Sequence, residues 1–208
     1  MVAELAKSGG HPIETGMVAK GGWTLAAHAA SAETLDRLQS SRWDNVILQE
    51  QSQIPASEQA RTASMYPAAR LLVSRIKAAD ATPLFFLTWA HRDGWPEKGL
   101  NGYEAMQLQI DYGYLTIARE LGVSVAPIGC AWMTARRNNP RLDLWQQDGS
   151  HPTEQGTYLA ACVLYAAIFR ASPEGLAYHA HLSTEIARDL QRIAADTVLK
   201  NPKRWNLL

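Results

Sequence analysis

The feature that most constrains the fold of this chain is the apolar run at residues 83–89, which lies between two long helical patterns. The run has the length of a strand and is apolar up to Thr88, so both of its faces must be covered by other parts of the protein. Apolar residues recur with helical spacing over residues 57–79 before it and over residues 103–121 after it. A doubly covered strand joined through helices is typical of a parallel sheet between two helical layers.

The same alternation of helices and short apolar strands extends along the whole sequence. Further strands are predicted at residues 13–19, 45–48 and 123–128, and further helices at residues 1–8, 24–38, 153–169 and 184–199. Thr24 is the predicted cap of its helix. Since no linker, repeat or low-complexity segment interrupts this order, the sequence predicts one α/β domain over residues 1–208, with helices on both faces of the sheet.

The balance of charge argues against two classes of partner. The chain has 20 Lys and Arg residues and 20 Asp and Glu residues, so its formal net charge is zero. Because the sequence has no basic stripe and no polybasic amphipathic segment, we predict neither a nucleic-acid nor a membrane partner. A small neutral molecule or a sugar is the predicted partner, and the sequence does not indicate an oligomeric state.

Compartment and metal binding are less constrained. The sequence shows no signal peptide and no apolar run of bilayer length. This predicts a cytoplasmic protein if Met1 is the true start, and a periplasmic or secreted one if a signal precedes it. Two cysteines do not form a disulfide framework: Cys162 is predicted to be a buried helical thiol, and Cys130 to lie at a strand end. His179 and His181 are too sparse a set for a metal site, and none is predicted.

An aspartate three residues before a histidine is the strongest chemical signal. Asp148 and His151 lie on a loop that Pro152 and Thr153 turn into a helix. A carboxylate at this spacing can bond one ring nitrogen, fix the tautomer and stabilise the imidazolium that forms when the other nitrogen takes a proton. The alternative is that Asp148 caps the helix and His151 is an ordinary surface residue, because short Asp-x-x-His matches are common by chance.

Three further segments follow or precede predicted elements at positions where ligands bind. Gly21 and Gly22 lead into a helix, and glycine allows a ligand to approach the backbone closely. Residues 49–52 (Gln-Glu-Gln-Ser) and residues 88–91 (Thr-Trp-Ala-His) end consecutive strands, where side chains of parallel sheets face the ligand crevice. The alternatives are a plain turn at the glycines, a solvated strand exit at residues 49–52, and a structural role for His91.

Taken in order, Gly21-Gly22-x-Thr24-Leu25, Leu48-Gln49-Glu50-Gln51-Ser52 and Asp148-x-x-His151-Pro152 resemble the SGNH (GDSL-like) serine hydrolases over about residues 1–169. The family usually carries Gly-x-Asn-Asp where this chain has Gln49 to Ser52, and the departure resembles one branch of SGNH-like proteins. The resemblance implies a flavodoxin-like three-layer fold and hydrolysis of carboxylic esters without metal or cofactor. Small acyl esters, with acetylated carbohydrate as one candidate, are the implied substrates.

The resemblance also implies roles for individual residues. His151 would be the general base and Asp148 the residue that orients it. The backbone of Gly22 and the amide of Gln51 or Gln49 would donate to the oxyanion. His91 and Trp89 are the candidates for lining the substrate pocket.

The nucleophile is the missing part of this pattern. The family's serine lies in a Gly-Asp-Ser or Gly-Asn-Ser turn after the first strand, and neither tripeptide occurs in the sequence. Ser8, Ser52 and Ser150 do not match that turn. We therefore expect the domain to lack the family's first strand and its serine, because the chain is a fragment, its start is misassigned or its sheet is rearranged.

Two other functions remain open at this point. A non-catalytic protein could use the same scaffold to bind a carbohydrate or acyl ligand without turnover. A different enzyme could use Asp148 and His151 as an acid–base pair on a sugar. The binding protein would be indifferent to His151→Ala, and the other enzyme would keep its activity in the presence of serine-directed probes.

Overall fold

A three-stranded parallel sheet forms the centre of the computed structural model, which describes residues 1–207. The helices are α1 (Val2–Ser8), α2 (Leu25–Ala30), α3 (Ala32–Gln39), α4 (Gln53–Ala56), α5 (Glu58–Ala60), α6 (Tyr66–Ala78), α7 (Tyr103–Leu121), α8 (Ile128–Asn138), α9 (Glu154–Phe169) and α10 (Thr184–Leu199). The strands are β1 (Asn45–Leu48), β2 (Thr82–Phe86), β3 (Gly94–Trp95), β4 (Leu100–Asn101) and β5 (Ser124–Ala126). A π-helical turn (Arg61–Met65) joins α5 to α6, and 3-10 turns occupy Pro96–Lys98 and Pro202–Trp205.

The sheet has the order β1-β2-β5, with all strands parallel. Ile47 lies opposite Leu84, and Phe85 opposite Val125, so β2 is the central strand and its backbone is paired on both edges. The short strands β3 and β4 form a separate antiparallel hairpin after the end of β2. The predicted parallel α/β architecture is confirmed.

Helices cover the sheet from two sides. Helix α6 contacts α2 and α7, and helix α9 contacts α1, α8 and α10, while β5 contacts both α7 and α9. Helix α9 is buried along most of its length, and its sequence is apolar on nearly every face. This agrees with the rule that a helix without a polar face belongs in the interior. Cys162 lies in this helix as a buried free thiol, as predicted.

The predicted strand at residues 13–19 is wrong. The segment has no regular structure and is largely exposed, with Met17 84% exposed. A strand needs a neighbour to satisfy its backbone groups, and the sheet places no strand of residues 1–207 on the outer side of β1. The segment instead passes against Arg37 and Trp43, which approach so closely that a Cβ on Gly16 would clash with both.

Two helix boundaries differ from the sequence prediction, and one cap agrees with it. The helix predicted at residues 24–38 divides at Ser31, whose extended backbone and side chain cap α3 through the N–H of Thr34. The helix predicted at residues 57–79 contains the π turn, which ends just before Pro67, a residue that cannot donate a backbone hydrogen bond. Thr24 caps α2 by accepting from the Ala27 N–H, as predicted.

The end of the sheet also differs from the sequence prediction. The strand predicted at residues 123–128 ends at Ala126, and α8, which the sequence did not predict, begins at Ile128. Cys130 therefore lies in the first turn of a helix rather than at a strand end. Strand β2 ends at Phe86, so Trp89 belongs to the loop that follows it. Within residues 1–207 no helix has both the length and the apolar character needed to cross a bilayer.

Candidate active site

Asp148 and His151 form a direct side-chain pair. The Asp148 Oδ2 atom lies 2.7 Å from His151 Nδ1, and Asp148 Oδ1 accepts from the N–H groups of Ser150 at 2.8 Å and His151 at 2.9 Å. The His151 side chain is 73% exposed. Its Nε2 has no hydrogen-bond partner among residues 1–207, so this nitrogen is free to accept a proton.

The loop that carries the pair is closed by backbone hydrogen bonds. Gln146 N–H donates to the His151 carbonyl at 2.8 Å, and Trp145 and Pro152 form an antiparallel bridge. Thr153 then caps α9 by accepting from the Gly156 N–H. The alternative that Asp148 is the helix cap is therefore wrong, because Thr153 fills that role and the Asp148 oxygens point to the loop and to His151.

The surroundings of Asp148 keep its carboxyl ionised. Hydrogen bonds from the Ser150 N–H, the His151 ring and the His151 N–H together lower the pKa of Asp148 to about 2. Hydrogen bonds to the charged form of an acid favour that form. The carboxylate consequently stays charged down to strongly acidic pH, and its titration would not limit a reaction run near neutral pH.

Three tryptophans, Trp89, Trp132 and Trp145, pack against one another next to the Asp148–His151 loop. The Trp89 and Trp132 rings are stacked with centroids 4.4 Å apart, and Trp132 meets Trp145 edge to face at 4.8 Å. The Trp89 indole N–H donates to the Ser150 carbonyl at 2.9 Å, next to His151 in the chain. The Trp145 indole N–H donates to the Ala90 carbonyl at 3.2 Å. The loop after β2 and the Asp148–His151 loop are therefore fixed to each other.

Replacing Trp89 with phenylalanine should leave the Ser150 carbonyl without its donor. We expect the free energy of unfolding to fall by about 1–2 kcal/mol in urea titrations, which is the usual loss for a partly buried hydrogen bond with some lost packing. Trp205→Phe is the matched control, because its indole donates to the Thr197 carbonyl at 2.9 Å away from this loop. Only Trp89→Phe should speed amide exchange in residues 148–151, and equal exchange in the two variants would contradict the assignment.

His91 connects the loops that follow β1 and β2. Its Nε2 lies 3.3 Å from the Ser52 hydroxyl. Burial lowers the pKa of His91; the nearby Asp148 carboxylate opposes this shift, and His151 adds to it. An open cleft of about 410 Å³ borders His91, Asp148 and Gly149, and Gln53 and Trp95 contribute further walls. His91 and Asp148 thus border the same cleft, whereas Trp89, the other candidate pocket residue, does not line it.

A buried polar network holds the loop after β2 from the other side. Gln107 accepts from the Ala90 N–H at 2.8 Å and donates to the Thr88 carbonyl at 3.1 Å and to Asp111 at 2.8 Å. The Cys130 thiol donates to the second Asp111 oxygen at 3.3 Å. A Cβ on Gly129 would lie 2.2 Å from the Gln107 amide nitrogen, so only glycine fits there. No sequence pattern indicated this network, because Gln107 lies within an otherwise amphipathic helix.

The predicted oxyanion residues lie on the neighbouring loops. Gly22 has a φ of +71° in an exposed turn that the Trp23 N–H closes onto the Lys20 carbonyl, a conformation that favours glycine. Gln49 is exposed. Gln51 accepts from the Gln53 N–H at 2.9 Å and donates to the Gln53 side chain at 3.3 Å.

The residue between the two glutamines is one that the sequence patterns did not single out. Glu50 is buried, and its carboxylate accepts from the Leu25 N–H at the start of α2. The Gly22 turn is therefore tied to the loop after β1 through Glu50. The alternation of exposed Gln49 with buried Leu48 and Glu50 continues the strand period and could have indicated this position.

The serines that do not match the family's turn lie in three different settings. Ser52 meets His91, Ser8 accepts from the Tyr178 N–H at 3.2 Å, and Ser150 contributes its carbonyl to Trp89. His181 lies 30 residues after His151 in the chain, and its Nδ1 is 2.6 Å from Oε1 of Glu154, the first residue of α9. In the part of the chain that the structure describes, no group of three or more His, Cys, Asp or Glu side chains could hold a metal ion.

Two solved structures are similar to this chain. A DUF4886 family protein from Bacteroides uniformis shares 19% sequence identity with a TM-score of 0.78, over 96% of this chain and 88% of that one. A protein from Slackia heliotrinireducens, described as an SGNH hydrolase by prediction, shares 28% identity with a TM-score of 0.65, over 79% of this chain and 89% of that one. No family model and no curated protein matches the sequence. The protein therefore has an SGNH-like fold.

Proposed function

We propose that this SGNH-like domain hydrolyses carboxylic esters by Ser-His-Asp acyl transfer to water, with His151 and Asp148 assigned and no serine of residues 1–207 assigned as the nucleophile. The observation that carries the proposal is the Asp148–His151 pair, with one ring nitrogen bonded at 2.7 Å and the other free on an exposed face. A carboxylate bonded to Nδ1 holds the tautomer in which Nε2 can accept a proton. The fold similarity supports the proposal, because one of the two similar structures is that of a predicted SGNH hydrolase.

In this mechanism His151 Nε2 takes the proton of the serine hydroxyl as its oxygen attacks the ester carbonyl. The tetrahedral oxyanion is held by backbone and amide donors, for which Gly22 and Gln51 or Gln49 are our candidates. Collapse expels the alcohol, which takes the proton from the imidazolium, and water then repeats the sequence to release the acid. Asp148 stays ionised throughout and stabilises the imidazolium.

The cleft that Asp148 borders supports a proposal for the substrate class. Its volume of about 410 Å³ and its opening to solvent suit a small acyl ester. Trp95 offers an aromatic face, and Gln53 offers an amide for hydroxyl groups, which is the chemistry that binds sugars. An acyl ester of a carbohydrate is therefore the preferred candidate, and neither nucleic acid nor a membrane is proposed as a partner.

Labelling with a fluorophosphonate tests the proposal directly. The purified protein, shown to be folded, should form an adduct at one serine, and peptide mass spectrometry would locate that serine. The adduct should disappear in His151→Ala, because the serine then lacks its base. Folded protein that stays unlabelled under conditions that label a known serine esterase would contradict ester hydrolysis.

A binding protein on the same scaffold is the second candidate. The observation in its favour is that no serine of residues 1–207 lies within hydrogen-bond distance of His151 Nε2. This candidate predicts that an acetylated sugar binds without turnover and that His151→Ala leaves its affinity unchanged within about twofold. Calorimetric titration of wild type and His151→Ala with the same sugar separates the two candidates.

A further inference from the structure

Glu50 is a buried carboxylate that joins two of the loops around the candidate site. The residue is 1% exposed. Its two oxygens each lie 3.2 Å from the Leu25 N–H, and one of them lies 2.8 Å from the Gln51 N–H. The Glu50 N–H in turn donates to the Tyr114 hydroxyl at 2.8 Å, which fixes the residue from its backbone side.

The carboxylate has no cation to balance it. No salt bridge to Glu50 occurs within residues 1–207, and its partners are the two N–H groups. Burial raises the pKa of Glu50 to about 7, although the bonds from Gln51 and Leu25 oppose that shift. A buried acid without a counter-ion lowers the stability of the fold when it is charged. A contribution to stability therefore does not explain why Glu50 is buried here.

We propose that Glu50 is a positioning residue that holds the Gly22 turn and the Gln51 loop together as one oxyanion-binding unit. This role rests on the proposed ester hydrolysis. Leu25 follows Gly22 by three residues, and Gln51 is bonded to the carboxylate through its own N–H, so one side chain sets the spacing of both segments. Donors that are fixed before the reaction stabilise a developing oxyanion without reorganisation.

The ionised carboxylate is the form that makes this connection. In the ionised form both oxygens can accept, and charged acceptors make the stronger hydrogen bonds, whereas protonation leaves one neutral oxygen to accept from both N–H groups and so weakens the connection. Activity should therefore rise as pH passes through about 7. Stability should change in the opposite sense: because the folded-state pKa lies above the unfolded value of about 4.5, the free energy of unfolding falls as pH rises from about 4.5 to about 7.

Kinetics of Glu50→Gln on an acyl ester test the proposal. Above pH 8 we expect kcat to fall about 10²-fold with KM unchanged within about twofold, because the lost interaction acts on the transition state. The ratio of wild-type kcat to Glu50→Gln kcat should rise as pH passes through about 7, because the general base His151 is present in both proteins and the Glu50 carboxyl only in wild type. The part of the pH dependence of the unfolding free energy that Glu50 contributes, between about pH 4.5 and 7, should be absent from Glu50→Gln. A purely structural role would lower kcat by the same factor at every pH. Glu58→Gln, an exposed carboxylate on α5, is the matched control and should behave as wild type.

The outcomes separate this proposal from the proposed function. If wild type and His151→Ala are equally inactive, ester hydrolysis itself is refuted, and the role of Glu50 falls with it. If wild type is active and Glu50→Gln keeps its kcat and its pH–rate profile, ester hydrolysis stands and the Glu50 proposal is overturned. If Glu50→Gln is too unstable to assay, amide exchange within that variant decides: exchange that is faster at Leu25 and Gln51 than at core amides supports the connection, and uniform exchange overturns it.

Discussion

Replacing His151 with alanine is expected to lower kcat/KM for ester hydrolysis by at least about 10⁴-fold. Without the imidazole no group removes the proton from the nucleophile, and none returns it to the leaving alcohol. The free energy of unfolding should change little, because the His151 side chain is 73% exposed. Initial rates on p-nitrophenyl acetate, with unfolding followed on the same preparations, measure both effects.

His181→Ala is the control that the chain itself provides. His181 also bonds a carboxylate through Nδ1, at 2.6 Å from Glu154, and its side chain is 91% exposed. The two histidines therefore share chemistry and exposure and differ in the loop that carries them. His181→Ala should keep wild-type kcat/KM within about twofold, and a loss of similar size in both variants would contradict the role of His151.

Replacing Trp132 with alanine should destabilise the domain more than any substitution in the Asp148–His151 loop. Trp132 is fully buried and packs between Trp89 and Trp145, so its removal leaves a cavity beneath that loop. We expect the free energy of unfolding to fall by about 3–5 kcal/mol, the usual range for a large aromatic residue in a core. Urea titration measures this loss, which is a large part of the stability of a typical domain.

A second variant keeps the test informative if Trp132→Ala does not fold. The Trp132 indole nitrogen has no hydrogen-bond partner, so Trp132→Phe loses no hydrogen bond and retains an aromatic face toward Trp89. It should cost less than half as much as Trp132→Ala. Trp205→Ala, at a buried site near the C-terminus, controls for general destabilisation. Amide exchange at His151 should be faster in the Trp132 variants than in Trp205→Ala when the two are compared at the same free energy of unfolding. Equal exchange would show that the packed tryptophans do not support the Asp148–His151 loop.

Local sequence patterns predicted those parts of the site that depend on neighbours in the chain. Asp148 and His151 are three residues apart, so a short loop suffices to bring their side chains together. Thr24 caps the helix that begins beside it, for the same reason. The resemblance in the three motifs also led to the SGNH-like fold, which the similarity to solved structures supports.

Errors arose where a segment depends on a distant partner. Residues 13–19 are a short, partly apolar segment predicted as a strand, yet a strand forms only when another strand pairs with it, and within residues 1–207 β1 pairs with β2 alone. The sequence did not predict that α8 begins at Ile128, because a buried helix turn and a buried strand are both apolar runs. Ser31 shows the reverse case, in which one side chain redirected a helix that periodicity alone would continue.

The sequence by itself determined the parallel α/β class, most helices and the Asp148–His151 pair, because periodicity and short spacing act within a few residues of the chain. The tertiary structure decided which distant groups surround that pair. Ser52 meets His91 across 39 residues, Trp89 reaches the Ser150 carbonyl across 61, and Glu50 bonds the Leu25 N–H across 25. No local pattern encodes such contacts, since each exists only once the sheet has brought the ends of its strands together.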